Sequence, residues 1–334
     1  MCIIKDDYKF CENVVKENAP RIKLGLYPTP LQEVKDFLPL TEDSRRFFIK
    51  REDLNGVGFG GNKIRRMEYL LGEALAEGCD CLIVGGGSRS NQTIAAAACA
   101  AKVGMQVHMV VPESTGSVTR GLAELLGAAL HFAMDGQTTS LNKEIRSVET
   151  KLKNDGHHPY VIKPGAEATL GILGYVDCMQ ELYEQAEKKH IHVDHVVCCG
   201  GTGITYAGVL LGTKLYSPDT RATAVSIGRR FKHAETLVKQ VKDAAIFGGY
   251  SVDVDLSDVH VYFSCGKGAS EPTTKGRDAM KLMASKSGIF LDPLFTGKAF
   301  AGLLDMSREG YFKPGETIVF IHTGGMITLL GGLS

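Results

Sequence analysis

The stretch CLIVGGGSRSNQTIAAAACAAKVGMQVHMVV, residues 81–111, contains the pattern that decides the fold. Its first five residues, 81–85, have the length and apolar composition of a buried strand. After a glycine-rich turn, the alanine-rich residues 91–103 predict a helix, and the apolar residues 106–111 predict the next strand. A strand, a glycine turn and a helix in this order are typical of an α/β protein with a parallel sheet.

The alternation of strands and helices continues on both sides of this stretch. Residues 63–77 repeat apolar side chains every three or four positions, which predicts a helix with Asn62 as its N-cap and Gly78 just past its end. We therefore predict mostly parallel sheets that helices cover on both faces. The other predicted elements are strands at 129–132, 195–199, 223–227 and 316–322 and helices at 117–126, 140–153, 203–215 and 231–245.

The segment 154–165 (NDGHHPYVIKPG) is the best candidate for a crossover between two α/β units. We predict a large domain from residues 1–50 and 162–334 and a small domain from residues 51–161. Open α/β sheets bind ligands at the carboxyl ends of their strands, so we expect the site in a cleft between the two domains.

The composition excludes several classes of protein. The chain has 334 residues, 38 Lys and Arg against 38 Asp and Glu, and this balance gives no reason to expect a nucleic-acid or anionic-membrane partner. The charged N-terminal segment lacks the apolar core of a secretory signal, and glycines interrupt the apolar residues 317–333, so we expect no membrane span. Nine cysteines in apolar contexts indicate reduced thiols in a cytoplasmic protein, without a metal.

Lys63 is the first candidate catalytic residue, in the sequence GFGGNKIRR, residues 58–66. A cation at a helix N-terminus opposes the helix dipole, and two neighbouring arginines disfavour its charged form further. The resulting neutral amine suits a lysine that forms a Schiff base, although a plain surface lysine stays an alternative at this point. A Walker phosphate loop is excluded, because Asn62 and not Lys directly follows the second glycine, and Ile64 and not Ser or Thr follows Lys63.

Two further glycine-rich turns lead from a strand into a helix and expose backbone N–H groups to an anion. Residues 200–205 (GGTGIT) suit a small phosphate, and residues 85–92 (GGGSRSNQ) suit a carboxylate. Neither turn matches a dinucleotide fingerprint, and plain structural turns or helix caps are the alternative. An activated lysine, a phosphate site and a carboxylate site together favour an aldehyde cofactor with a phosphate tail that acts on an amino acid.

In their order along the chain, these motifs resemble one family of pyridoxal-phosphate enzymes. The chain is similar to the D-cysteine desulfhydrases and 1-aminocyclopropane-1-carboxylate deaminases, which have the tryptophan-synthase-β-like fold, fold type II. The similarity runs from YPTPL to HTGG, residues 27–325, nearly the whole chain. Its markers are residues 49–53 (IKRED), 60–68 (GGNKIRRME), 90–93 (SNQT), 201–205 (GTGIT) and 296–298 (TGK).

The resemblance implies a role for each motif. Lys63 would carry pyridoxal 5′-phosphate covalently, and Arg66 would lie near the phosphate group. Asn91 would meet the ring hydroxyl of the cofactor, and Thr323 would face its pyridine nitrogen. Ser90 would lie beside the substrate carboxylate and Cα, where it or Lys63 removes the Cα proton. The predicted phosphate ligands are Gly201, Thr202, Gly203, Ile204 and Thr205, and the predicted substrate contacts are Arg89, Ser90, Asn91, Gln92, Lys267, Phe295 and Thr296.

Substitutions within the motifs bear on the substrate. Thr296 and Thr323 resemble the desulfhydrase branch, since the deaminases have Glu and Leu at these positions. A hydroxyl leaves the pyridine nitrogen largely unprotonated, which suits β-elimination better than ring opening. Phe295 and Lys267 stand where the family usually has Tyr, and Arg89 where it often has Gln. The loss of two phenols removes acid–base groups, and the two cations add donors for a second anionic group.

We predict a cytoplasmic, homodimeric lyase that removes the β-substituent of a small amino acid. D-cysteine, giving pyruvate, hydrogen sulfide and ammonia, is the first candidate substrate. Cysteate with loss of sulfite, deamination of 1-aminocyclopropane-1-carboxylate, and a non-catalytic sensor that binds the cofactor are the alternatives.

Overall fold

The computed structural model describes residues 19–162, 168–228, 234–264, 268 and 270–331. In chain order its strands are β1 Leu31–Glu33, β2 Arg46–Lys50, β3 Cys81–Gly85, β4 Gln106–Pro112, β5 Ala129–Ala133, β6 Pro159–Ile162, β7 His195–Gly200, β8 Arg221–Ser226, β9 His260–Phe263 and β10 Thr317–Ile321. Its α-helices are α1 Lys63–Ala76, α2 Asn91–Val103, α3 Ser117–Leu125, α4 Thr138–Asn154, α5 Ala168–Lys188, α6 Ile204–Tyr216, α7 Ala234–Phe247, α8 Thr274–Ser287, α9 Thr296–Arg308 and α10 Met326–Leu330.

These strands form two sheets. The larger sheet has the order β1-β2-β10-β7-β8-β9, and the smaller has the order β5-β4-β3-β6. Every described pair of neighbours is parallel except β1 and β2. The predicted α/β fold with mostly parallel sheets is therefore confirmed.

Strand β3 shows why the sequence forms a parallel sheet. Its side chains alternate between two buried environments: Leu82 and Val84 join the core shared with α1 and α2, whereas Cys81 and Ile83 join the core beneath α4. A strand covered on both faces needs an apolar residue at each position, which is the composition that residues 81–85 have. Burial of each large aliphatic side chain stabilises the fold by about 1.5–3 kcal/mol.

Helix α1 connects the two sheets. It packs against α2, which follows a strand of the smaller sheet, and against α5, which lies on the larger sheet. The turns that follow β3, β7 and β10 all leave the carboxyl ends of their strands. The N–H of Asn62, just before α1, donates to the carbonyl of Thr323, just after β10, so α1 begins at the cleft between the two sheets, where ligand sites of open α/β sheets occur.

Several predicted elements have the observed bounds or come close to them. Strand β3 and helix α2 agree at both ends with their predictions, and the other predicted helices and strands agree within a few residues where they are described. Gly78 has a φ of +73°, as expected at a left-handed helix end. The division into two domains stays a prediction, although its boundaries separate the two sheets except for Ile162, the last residue of β6.

One expectation was incomplete and another was wrong. Segment 154–165 is more than a crossover, because Pro159–Ile162 pairs with β3 as an edge strand, and proline is tolerated as the first residue of such a strand. Asn62 has helical backbone angles and no side-chain cap bond, so it is not an N-cap. The sequence patterns also did not predict the following elements: β1, β2, β6, β9, α5, α8, α9 and α10.

None of the described helices is both long and apolar enough to cross a membrane.

Candidate active site

Lys63 is the first residue of α1 and lines a cavity at the cleft together with Asn91 and Thr323. Burial of its amine, assisted by the positive charge of Arg66, lowers the pKa of Lys63 to about 8. Desolvation disfavours the charged form of an amine, and a neighbouring cation acts in the same direction. With a pKa of about 8, about a tenth of this amine is neutral and nucleophilic at pH 7, far more than for an ordinary lysine.

The backbone before α1 is fixed against the strand end at Thr323. The N–H of Asn62 donates to the carbonyl of Thr323 at 3.1 Å, and the N–H of Gly61 donates to the carbonyl of Glu52 at 2.9 Å. Gly61 has a φ of +108°, and a Cβ there would lie 2.8 Å from the Thr323 carbonyl oxygen. Only glycine permits this approach, so the position of Lys63 is tied to that of Thr323.

Arg65 anchors the first turn of α1 in the protein interior. Its guanidinium donates to Glu52 at 2.6 and 2.9 Å and to Glu181 of α5 at 3.0 Å. Lys50 of β2 is fully buried and pairs with Glu181. Arg65 lowers the pKa of the buried Glu52 carboxyl against the opposing effect of burial. This buried network holds the Lys63 end of the helix, and no local sequence pattern predicted its long-range members.

Arg66 lies between α5 and the start of α6. Its side chain packs against Gly171, next to the side chain of Ile204, and its Nη1 donates to Oε1 of Gln92 at 3.2 Å. Burial lowers the pKa of Arg66 to about 10, which still leaves it charged at neutral pH. A desolvated cation here suits the phosphate that the sequence assigned to this side of the cleft.

The β7–α6 turn, residues 201–203, leads directly into the first turn of α6. Gly203 has a φ of +96° and directly precedes the helix, where unpaired N–H groups and the helix dipole favour an anion. The side chain of Asn62 donates from Nδ2 to Oγ1 of Thr205 at 2.9 Å. Asn62 therefore links the lysine helix to this turn in place of the N-cap role that we predicted.

The β3–α2 turn, residues 86–90, lies on the other side of the cleft. Its backbone closes through the N–H of Ser90, which donates to the carbonyl of Gly87 at 2.9 Å. Arg89 is exposed and its Nη1 lies 3.5 Å from the carbonyl oxygen of Ser270, at the limit of a hydrogen bond. Arg89 thus reaches from the small sheet's turn toward a loop that follows the larger sheet.

Thr296 and Phe295, the predicted substrate contacts at the start of α9, differ in their burial. Thr296 is fully buried; its hydroxyl donates to Oδ1 of Asp292 at 2.7 Å and accepts from the Asp292 N–H at 2.8 Å. Both of these hydrogen bonds of the Thr296 hydroxyl are with Asp292, just before α9. Phe295 is partly buried and packs against the apolar core of the larger sheet. Lys267 lies outside the described residues.

A second group of candidate ligands lies at the opposite end of β3. Asp80, Cys81 and His157 bring their ligand atoms within 4.8 Å of one another. Oδ2 of Asp80 lies 2.8 Å from Nδ1 of His157, and its Oδ1 accepts from the N–H of His158 at 2.8 Å. These bonds join the start of β6 to β3 and account for the cluster structurally. The expectation of a protein without a metal stays a prediction.

The residues at the cleft fit pyridoxal phosphate as a group. A partly neutral amine suits its aldehyde, while the α6 N-terminus and Arg66 suit its phosphate. Asn91 and Thr323, which line the same cavity as the amine, offer an amide and a hydroxyl to a polar ring.

Comparison with known proteins agrees with this fit. The family described as pyridoxal-phosphate dependent enzymes matches residues 22–324. The chain belongs to this family. The predicted family, fold type and cofactor, and the prediction that the protein is a pyridoxal-phosphate-dependent enzyme, are thereby confirmed.

Relatives with two different names are about equally similar. A putative 1-aminocyclopropane-1-carboxylate deaminase of Pyrococcus abyssi is 35% identical over 315 residues, covering 92% of each chain. A D-cysteine desulfhydrase of Salmonella newport is 34% identical over 317 residues, covering 92% of this chain and 94% of the relative. The crystal structure of a homologue of 1-aminocyclopropane-1-carboxylate deaminase superposes with a TM-score of 0.84 at 33% identity, covering 93% of each chain.

Proposed function

We propose that this pyridoxal-phosphate enzyme catalyses β-elimination on a small amino acid, with D-cysteine as the first substrate and pyruvate, hydrogen sulfide and ammonia as products. The observation that carries the proposal is the Lys63 amine, whose pKa is lowered to about 8 in a cavity shared with Asn91 and Thr323. Thr323, where the deaminase branch has Leu, supports elimination in preference to ring opening.

The cofactor, when bound, supplies the electron sink for a carbanion at the substrate Cα. The protein's own residues would do the rest. Arg66 and the N-terminus of α6 would hold the phosphate, and the N-terminus of α2 with Ser90 and Gln92 would hold the substrate carboxylate. The phosphate would then bind at the N-terminus of α6, which follows a strand of the larger sheet, and the carboxylate at the N-terminus of α2, which follows a strand of the smaller sheet.

Removal of the Cα proton needs a base near that carboxylate. Lys63 suits this role because an amine with a pKa of about 8 accepts a proton near neutral pH and releases it again readily. Ser90 directly precedes α2 at the carboxylate side and is the second candidate. Its hydroxyl has a much higher intrinsic pKa than the amine, so we assign the base to Lys63 and substrate contact to Ser90.

A second candidate substrate is cysteate, which would lose sulfite by the same elimination. The observation that favours it is the exposed guanidinium of Arg89, which extends from the β3–α2 turn toward Ser270 across the cleft. An arginine there can pair with a sulfonate on the β-carbon of the substrate.

We also infer a homodimer that works in the cytoplasm. The six described cysteines are buried and free, which suits a reducing compartment. A native mass of about twice 36.0 kDa in solution is the expected result, and a mass of one chain would contradict the dimer.

The proposed function is tested by release of 2-oxo acids from purified protein on a panel of D- and L-cysteine, D- and L-cysteate, chloroalanine, serine and 1-aminocyclopropane-1-carboxylate. Pyruvate from D-cysteine is the expected result. Formation of 2-oxobutanoate from the cyclopropane substrate would decide for a deaminase instead. A visible cofactor band without turnover of any substrate would indicate a sensor.

Lys63→Ala should abolish both turnover and the visible absorbance of the protein, because no other described residue combines an amine with this cavity. The matched control is Lys239→Ala, which removes an exposed lysine that pairs with Asp243 on α7. Retention of the absorbance band in Lys63→Ala would refute the assignment of Lys63.

A further inference from the structure

A short helix at the C-terminal end of the chain contacts the predicted cofactor ligand Asn91. Thr328 lies in α10, is 5% exposed, and its Oγ1 donates to Oδ1 of Asn91 at 3.1 Å. Asn91 is the first residue of α2, so the bond connects elements 237 residues apart in sequence. Asn91 lines the Lys63 cavity, and so does Ile327, the residue before Thr328. Thr328 itself is not among the residues that line the cavity.

The position of α10 is well determined by its surroundings. It begins after Gly325, where an added Cβ would lie 2.5 Å from Oδ1 of the buried Asp292. An added Cβ on Gly324 would lie 2.7 Å from the Cα of Gly61. The helix also packs against α3 of the smaller-sheet region. The Thr328 hydroxyl is therefore presented to Asn91 from a fixed support.

A hydrogen bond to one end of an asparagine amide decides what the other end offers. The carbonyl oxygen is an acceptor and the NH₂ group is a double donor, and the two ends are almost identical in shape. With Oδ1 occupied by the Thr328 hydroxyl, Nδ2 is the end left for the cavity. Without that hydroxyl, a half-turn of the amide would present an acceptor there instead.

We infer that Thr328 is a positioning residue that directs the Nδ2–H of Asn91 toward the ring oxygen of the cofactor. The inference rests on the proposed role of Asn91 within the proposed function. When the cofactor is bound, a donor from Asn91 would stabilise negative charge on this oxygen and so weaken its hold on a proton shared with the Lys63 nitrogen. Thr328 thereby lowers the pH at which that proton leaves.

The test is a pH titration of the visible absorbance of the cofactor-loaded protein. Thr328→Val should raise the midpoint by about 0.5 to 1 pH unit, the effect of losing one ordinary hydrogen bond. Thr328→Ser, which keeps the hydroxyl, should have the wild-type midpoint. Thr213→Val is the matched control, since Thr213 is a buried threonine of α6 whose hydroxyl accepts from Tyr183.

A double-mutant cycle separates positioning from general damage to the fold. Asn91→Ala should raise the midpoint by at least as much as Thr328→Val, and adding Thr328→Val to Asn91→Ala should change it no further. A midpoint that is unchanged or lowered in Thr328→Val, or an equal shift in the Asn91→Ala background, would overturn the inference. Thr328→Ala provides the same measurement if the valine variant does not fold.

The two proposals fail in different ways. A protein without a visible band, or one that turns over no substrate, contradicts the proposed function. A protein with a normal band and normal turnover whose midpoint ignores Thr328 contradicts only the positioning role.

Discussion

The β7–α6 turn and the β3–α2 turn both lead from a buried parallel strand into a helix, yet they are fastened to the molecule in different ways. The β7–α6 side is joined to the lysine helix by the bond between Asn62 and Thr205 and by the packing of Arg66 beside Ile204. The β3–α2 side carries an exposed Arg89 whose bond across the cleft is 3.5 Å long. The β7–α6 side is thus fixed to the lysine helix, whereas Arg89 on the β3–α2 side is adaptable, although the first turn of α2 is itself held by the bonds of Asn91 to Thr328 and of Gln92 to Arg66.

The proposed function gives a physical reason for this difference. A covalently held cofactor stays in place through every turnover, so rigid contacts to its phosphate lose no function. A substrate must enter and its products must leave through the opposite side, and exposed side chains such as Arg89 permit that exchange. The following predictions test the contrast, in order of decreasing effect.

The largest effect is expected in the buried network behind Lys63. Glu52→Ala would leave the guanidinium of Arg65 buried with only Glu181 as a carboxylate partner among the contacts described, and we expect a loss of about 3–5 kcal/mol in the free energy of unfolding. The control Glu33→Ala removes a partly exposed partner of Arg46 and should cost about 1 kcal/mol or less. Urea denaturation measures both, and equal losses would show that the network contributes nothing special.

An intermediate effect is expected at Arg66. Arg66→Met should weaken pyridoxal-phosphate binding about 10–100-fold, since hydrogen bonds to charged groups contribute about 1.5–3 kcal/mol. The charge of Arg66 also lowers the pKa of Lys63, so its removal should move the pH midpoint for reaction of the cofactor-free amine upward from about 8. Rates of cofactor incorporation against pH give both quantities, and a midpoint that moves downward would contradict the electrostatic argument.

The smallest effect is expected at Arg89 on the adaptable side. Arg89→Gln should change kcat/KM for D-cysteine by about threefold or less, because an exposed side chain contributes little to a substrate without a second anionic group. Any activity on cysteate should fall about tenfold with the same substitution. Arg308→Gln, an exposed arginine on α9, is the control. A large loss of D-cysteine turnover would show that Arg89 is part of the fixed machinery.

Much of the fold was predictable because it depends on local pattern. The residues 81–111 contain enough apolar strand, glycine and alanine to define β3 and α2 at their observed bounds. Lys63 was identifiable for the same reason, since its position at a helix start among glycines and arginines is a property of nine consecutive residues. The edge strand β6 was missed because it has only four residues, two of them only partly buried, and because a proline begins it.

Asn62 shows where local reasoning failed. An asparagine before a helix is a common N-cap, and its sequence context offered no competing partner. Thr205, which accepts its amide proton, lies 143 positions away and comes near only when the two sheets are assembled. The tertiary hydrogen bond replaced the local one.

The sequence by itself determined the α/β fold, the family, the cofactor and the lysine that we propose carries it. Each of these depends on short runs of consecutive residues whose chemistry can be recognised without knowledge of their tertiary contacts. Only the tertiary structure decided which groups hold that lysine and orient its surroundings. Arg65 meets Glu181 across 116 positions, and Thr328 meets Asn91 across 237. Hydrogen bonds require atoms within about 3 Å, and for residues so far apart in the chain that proximity is created by folding alone.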